Sequence, residues 1–130
     1  MESEKCLDTN ALILVYNKGL KDRFAGSNTT CISLFEFLRG ISFLGKDVEG
    51  FKRDVEENFQ ILCLDNESIL IASRIYAELR KEGYLIDDPD LIIGSICISR
   101  GNTLVTNNVR HFSRLRKYGL KIVKASEILS

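Results

Sequence analysis

Five short strand-like runs, each followed by a stretch long enough to hold a helix, constrain this chain of 130 residues more than any other feature. They fall at residues 5–8, 29–32, 60–64, 103–105 and 120–123. Most are apolar or β-branched throughout rather than alternating, which is the pattern of strands covered on both faces, and helical connections let neighbours run parallel. The predicted architecture is a three-layer α/β/α domain around a mostly parallel sheet of about five strands. One domain spans residues 1–130, long enough to bury about 65–70% of the surface its unfolded chain exposes. No repeat, linker or low-complexity segment interrupts it.

The connections read as helices. Residues 11–16 form a largely buried one that Gly19 stops, and a second starts at Ser33 and meets Gly40. A more polar one follows, with Val48, Phe51, Val55 and Phe59 at helical spacing. The longest covers 67–81, with Ile69, Ala72, Ile75, Tyr76 and Leu79 as its inward stripe and Gly83 at its end. Asp88 stands before Pro89 as an N-cap, and the helix from Asp90 to about Arg100 is apolar on nearly every side, which places it centrally.

No apolar run approaches the ~20 residues of a membrane span, and the opening Met1-Glu2-Ser3-Glu4-Lys5 is too acidic for a secretory leader. The expected location is cytoplasmic. Cys6, Cys31, Cys63 and Cys97 form no metal or redox motif, so they read as small buried hydrophobes, three in strands and one in a helix. The formal net charge of zero hides an asymmetry: residues 91–126 hold seven bases and no acid, while the first 90 carry 17 acids against 11 bases. An acidic pocket beside a basic shoulder suits an enzyme acting on a polyanion; a solvated helix face is the plainer explanation of the bases.

Asp8, Glu36, Asp88 and Asp90 each fall where a strand has just ended or a helix is beginning. An open α/β sheet gathers side chains from such positions into one crevice. Carboxylates crowded there repel one another unless a cation neutralises them, and oxygen donors select Mg²⁺ or Mn²⁺ over zinc. Such an ion suits hydrolysis of a phosphodiester. Asp8 reads as a ligand, because Thr9 or Asn10 could cap the first helix in its place. Glu36 completes Ser33-x-x-Glu36, a capping-box pattern, so capping and ligation both stand. Helix stabilisation accounts for Asp88 and Asp90 in part, but not for three acids within Asp87 to Asp90. Thr106-Asn107-Asn108 is either an ordinary turn or a set of polar groups facing the acids. His111 is the one histidine, which excludes a two-histidine ribonuclease mechanism, and it stays outside the predicted catalytic set.

Leu7-Asp8-Thr9-Asn10, Ile32-Ser33-Leu34-Phe35-Glu36-Phe37-Leu38-Arg39-Gly40, Asp88-Pro89-Asp90-Leu91-Ile92-Ile93 and Leu104-Val105-Thr106-Asn107-Asn108 with Phe112 stand in the order and spacing of four family motifs. Through them the chain resembles the PIN-domain family, and within it the VapC-type toxin ribonucleases, over almost its whole length. The resemblance implies Asp8, Glu36 and Asp90 as catalytic metal ligands, Asp88 as an accessory acid, and Mg²⁺ or Mn²⁺ as the cofactor. Asn108 stands where many relatives carry a fourth acid, which leaves one ion or two open. Thr9, Asn10, Thr106 and Asn108 would position substrate, and Arg110, Arg114, Arg116 and Lys117 would hold RNA. The implied function is a metal-dependent endoribonuclease acting as the toxin of a toxin–antitoxin pair, with RNA, a cognate antitoxin and a second copy of the chain as partners. The alternatives are a PIN nuclease of RNA processing or quality control and a PIN-like domain that binds without cutting; loss of Asp8, Glu36 or Asp90 would have favoured the last. A haloacid dehalogenase type of enzyme would need an acid where Asn10 stands.

Overall fold

In the computed structural model residues 4–129 are described; Met1-Glu2-Ser3 of the acidic opening and Ser130 lie outside them. The elements run β1 (Lys5–Leu7), α1 (Thr9–Asn17), α2 (Lys21–Phe24), β2 (Asn28–Thr30), α3 (Cys31–Phe43), α4 (Val48–Asn58), β3 (Gln60–Leu62), α5 (Asn66–Lys81), α6 (Asp88–Arg100), β4 (Thr103–Thr106), α7 (Val109–Phe112), a 3-10 turn (Ser113–Tyr118), β5 (Lys121–Lys124) and α8 (Ala125–Ile128). The strands form one sheet of order β3-β2-β1-β4-β5. Every pairing is parallel, with Leu7 opposite both Thr29 and Val105.

Successive strand residues point to opposite faces, and the core divides accordingly. Leu7 and Val105 join Ala11, Leu12, Val15, Phe37, Val55 and Leu129 on one side. Cys6, Leu62 and Leu104 join Ile75, Leu79, Ile93, Ile96 and Leu115 on the other. Both sides are covered by helices, as the unalternating runs require. The all-round apolar α6 is the most buried helix stretch, with Leu91, Ile93, Ile96 and Cys97 out of solvent. A Cβ on Gly94 would stand 2.5 Å from Leu115 Cδ1, so glycine lets α6 approach the 3-10 turn closely.

Helix starts differ most from expectation. Cys31 and Ile32 open α3 instead of ending β2, because the Thr30 side chain accepts from the Ser33 backbone N–H at 3.0 Å and caps the helix there. Ser33 is therefore the third helical residue and Ser33-x-x-Glu36 is no capping box. Removing the Thr30 hydroxyl with Thr30→Ala should cost about 0.5–2 kcal/mol in urea unfolding, the range for losing such a cap. Likewise α6 opens at Asp88, with Asp87 at the N-cap position and Pro89 within the first turn. In α5 the inward face is Ser68, Ile75 and Leu79, while Ile69 and Tyr76 are half exposed. Cys63 lies just past β3 and is exposed, so it is not a core residue. No helix among the described residues is long and apolar enough to cross a membrane.

Candidate active site

Sheet order turns around β1: the chain builds outward through β2 and β3 on one side and through β4 and β5 on the other. Such a reversal opens a crevice beyond the carboxyl ends of the two central strands. A pocket of about 340 Å³ lies there, lined by Asp8, Thr9, Asn10, Glu36, Asp90 and Asn108, with Ile13, Arg39, Ile93 and Phe112 around them. Residues from four separate parts of the chain thus meet where the topology predicts.

Asp8 directly follows β1 and extends its ladder, its N–H donating to Val105 O at 3.1 Å. Its Oδ1 accepts from Ala11 N–H at 2.8 Å, which makes it the N-cap of α1. The expectation that Thr9 or Asn10 would cap in its place is corrected: the extended backbone at Asp8 is where a cap must sit. Capping engages one oxygen and leaves the carboxylate facing the pocket. Only 6% of Asp8 is exposed. Burial pushes its carboxyl above the ordinary value, the Thr106 hydroxyl and Ala11 N–H oppose that, and the charges of Asp90 and Glu36 add to it.

Glu36 lies in the second turn of α3, released from any capping role. Thr9 Oγ1 donates to its Oε1 at 2.5 Å, and Arg39 stands 3.5 Å from its Oε2 one turn on. Asp90, in the first turn of α6, is also raised, by burial first, with the His111 charge opposing and Glu36 and Asp87 reinforcing. His111 Nε2 lies 3.0 Å from Asp90 Oδ2, off the line a hydrogen bond prefers. Sequence reasoning missed this contact: α7 follows β4 and α6 precedes it, so only the fold brings residue 111 to residue 90; it also gave no role to Arg39, which lines the pocket beside Glu36.

Asn10 and Asn108 are exposed at the rim. The Asn108 N–H donates to Thr106 Oγ1 at 2.9 Å, tightening the turn after β4, and the buried Thr106 hydroxyl also meets Asp8. Asp88 is exposed and does not line the pocket. Asp88→Asn should accordingly leave any activity of the pocket within about threefold of the parent, as for a surface charge screened by water and salt.

The basic segment divides. Arg110 and Arg116 line a groove of about 500 Å³ with Asn107 and Lys124, adjoining the Asn108 turn. Arg114 stacks on the Tyr84 ring at 3.7 Å and Lys117 pairs with Glu82 at 2.8 Å, on a different part of the surface.

The donors converging here are carboxylate, amide and hydroxyl oxygens, the set a hard divalent cation prefers. A buried carboxylate facing two others fits the same ion, because its charge would relieve the repulsion. Among the described residues no three His, Cys, Asp or Glu side chains close on one point. Glu36 is turned toward Thr9 and Arg39, and Asp90 toward His111. Mg²⁺ needs only one or two carboxylates, its other positions being filled by water or phosphate oxygens.

Residues 5–118 match the family model of the PIN domain. The chain is 39% identical over 121 residues to the ribonuclease VapC1 of Methanocaldococcus jannaschii, a match covering 93% of this chain and 88% of that one. It is 31% identical over 122 residues to the tRNA(fMet)-specific endonuclease VapC of Salmonella typhimurium, covering 84% and 89%. Among solved structures it is similar to DNA-bound VapBC from Salmonella typhimurium, with TM-score 0.75, 26% identity and coverage of 95% and 99%. VapBC-1 from nontypeable Haemophilus influenzae shares the fold, with TM-score 0.76 at 24% identity and coverage of 94% and 98%.

Proposed function

The chain belongs to the PIN-domain family, and we propose that it is the ribonuclease toxin of a toxin–antitoxin pair, cutting RNA phosphodiester bonds with a Mg²⁺ or Mn²⁺ ion at the pocket around Asp8 and Asp90. The observation that carries this reading is the meeting of Asp8, Glu36 and Asp90 at the sheet's switch point, in a chain that matches a ribonuclease over nearly its full length.

Asp8 and Asp90 would hold the ion, with Glu36 on the third side and Asn108 at the rim. When bound, the ion supplies Lewis-acid stabilisation at a phosphoryl oxygen. Thr9 and Arg39 hold Glu36, and His111 holds Asp90, so each carboxylate has a neighbour that limits where it can turn. Asn10 and Asn108 are placed to orient a phosphate or ribose, and Ile13, Ile93 and Phe112 narrow the access of water from the core side.

Incubating the purified chain with single-stranded RNA in Mn²⁺, Mg²⁺ or chelator tests the reading. Cleavage is expected with either metal and should disappear with chelator. Cleavage undiminished by chelator would remove the ion from the mechanism; no cleavage in either metal would remove the activity.

A toxin of this kind works in the cytoplasm, beside its RNA, and needs a protein that silences it. The VapBC structures that share this fold support a cognate antitoxin as that partner. Exposed apolar side chains, Phe35 in the first half of α3, Phe43 and Leu44 at its end, and Ile69, Leu70 and Tyr76 on α5, offer surface for the antitoxin and for a second copy of the chain. Light scattering should report a dimer mass, and a monomer at micromolar concentration would refute dimerisation.

For RNA, the groove of Arg110 and Arg116 lies nearer the pocket turn than do Arg114 and Lys117. Each phosphate-binding cation removed should flatten the log–log salt dependence of affinity by about 0.7. In a cleavage-dead Asp90→Asn background, Arg110→Ala with Arg116→Ala should therefore flatten the slope by about 1.4. Arg114→Ala with Lys117→Ala should change it less, and an equal change would place RNA across both surfaces.

A further inference from the structure

The last paired residues of β2 and β3 are Thr30 and Leu62. The chain continues from them into Cys31 and Cys63, so the parallel register brings the two cysteines side by side at the sheet's edge strand. Neighbouring strands lie about 4.8 Å apart, inside the Cα separation of about 4.4–6.8 Å that a disulfide spans. Cys31 is also the group that acts most strongly on the Cys63 thiol, through its side chain and its backbone N–H, as neighbouring residues do. Cys63 is exposed and Cys31 half buried, so the pair is open to solvent from one side.

We infer that Cys31 and Cys63 form an oxidation site, a dithiol that a hydroperoxide converts to an intramolecular disulfide fastening β3 to the start of α3. The exposed Cys63, as thiolate, attacks one peroxide oxygen; the O–O bond breaks, leaving a sulfenic acid on Cys63 and releasing water once the departing oxygen takes a proton. The Cys31 sulfur then attacks Cys63 Sγ, the S–O bond breaks, and a second water leaves with the Cys31 proton. Two thiols are oxidised by two electrons and one peroxide is reduced to two waters. Its contact with Cys31 and its partial burial hold the Cys63 thiol above its ordinary value, so the reaction quickens as pH rises.

The chain carries its own control. Cys6 and Cys97 are also in contact, but both are fully buried, out of reach of an oxidant in the folded protein. Bridging Cys31 and Cys63 closes residues 32–62 into a covalent loop that contains α4 and most of α3, including Glu36. Such a closure restricts the unfolded chain and should raise Tm by about 5–15 °C.

The test uses the full-length chain, reduced and then freed of reductant, with hydrogen peroxide as oxidant and thiols counted after unfolding. Four thiols are expected before and two after, with the mass of two hydrogens lost and a proteolytic fragment joining Cys31 to Cys63. The rise in Tm should be reversed by dithiothreitol and be absent from Cys63→Ser and Cys31→Ser, which differ from the parent by one atom each at positions that are not fully buried. A bridge between Cys6 and Cys97, a disulfide between two chains, or sulfinic acid at Cys63 with Cys31 still free would each overturn the assignment. None of these readouts depends on RNA cleavage, so the inference stands or falls apart from the nuclease reading.

Discussion

Asp8→Asn is expected to reduce RNA cleavage by on the order of 10²–10⁴-fold while leaving the metal-free protein as stable as the parent or more so. The two halves of this result have separate causes. Asparagine caps a helix as well as aspartate does, so the bond from Ala11 N–H survives, and its amide can still meet the Thr106 hydroxyl. What disappears is a charge that the fold holds at a disadvantage. Burial raises the Asp8 carboxyl above its unfolded value of about 3.9, so in the interval between the two values the folded state binds more protons than the unfolded one. Stability contributed by Asp8 therefore falls as pH rises through that interval and remains lowered at neutral pH, and Asp90 acts in the same direction. The variant should show a flatter stability profile from about pH 4 upward, read by urea unfolding without metal. Adding Mn²⁺ should raise the Tm of the parent and leave that of the variant nearly unchanged, because only a ligand that binds the folded state shifts its stability. If Asp8→Asn cut RNA at the parental rate, Asp8 would be a cap and nothing more; if it lost stability without metal, the capping bond would outweigh the buried charge.

The same residues show what is legible in the sequence. The strands can be read because each must be covered on both faces, and that leaves nearly continuous runs such as Lys5-Cys6-Leu7 and Thr103-Leu104-Val105. β2 is the instructive case: Asn28, Thr29 and Thr30 are polar yet buried, held by bonds from Asn28 to Asn102 and from the Thr29 hydroxyl to Leu7 O that no local pattern announces. Thr30 and Asp87 do not stand out as caps because Ser33 and Asp88 satisfy the same local rules. Only three-dimensional placement decides which polar residue takes the extended backbone. The one-turn helices α2, α7 and α8 are too short to carry a period.

In the site, Asp8 and Asn108 are readable because each closely follows a strand end, and Glu36 and Asp90 because each lies in the early turns of a helix; in a parallel sheet all strand ends point one way. Asp88 joins them in sequence through its nearness to Asp90, but two residues along a helix are about 200° apart around its axis. The role of His111 is hidden because its partner Asp90 lies beyond an intervening strand. The basic run 110–117 divides for a related reason. Arg114 and Lys117 lie on the 3-10 turn, where residues three apart share a face, and that face meets Tyr84 and Glu82. Cys31 and Cys63 meet through strand register, which a spacing of 32 residues does not disclose.

Glu36→Gln separates chemistry from architecture most sharply, and its expected result is a folded protein with activity reduced on the order of 10²–10⁴-fold. In a capping box the substitution would be mild, since glutamine offers the same acceptor; the position of Glu36 in the sixth residue of α3 removes that role. The amide oxygen can still accept from Thr9 Oγ1, so the side chain stays where it is, and the exposed Arg39 loses an ion pair worth little in water. Size, contacts and helix are retained, and the negative charge facing Asp8 and Asp90 is the one thing removed. Relief of that repulsion should bring the Asp8 and Asp90 carboxyls back toward their ordinary values, because Glu36 is among the causes raising each. Thr9→Val completes the comparison: it keeps the charge and removes the bond that holds it, so a smaller loss, about tenfold, is expected, consistent with a residue that orients a ligand rather than being one. Equal losses in the two variants would make the Thr9 bond, and not the carboxylate charge, the source of the Glu36 effect, and parental activity in Glu36→Gln would take Glu36 out of the reaction altogether.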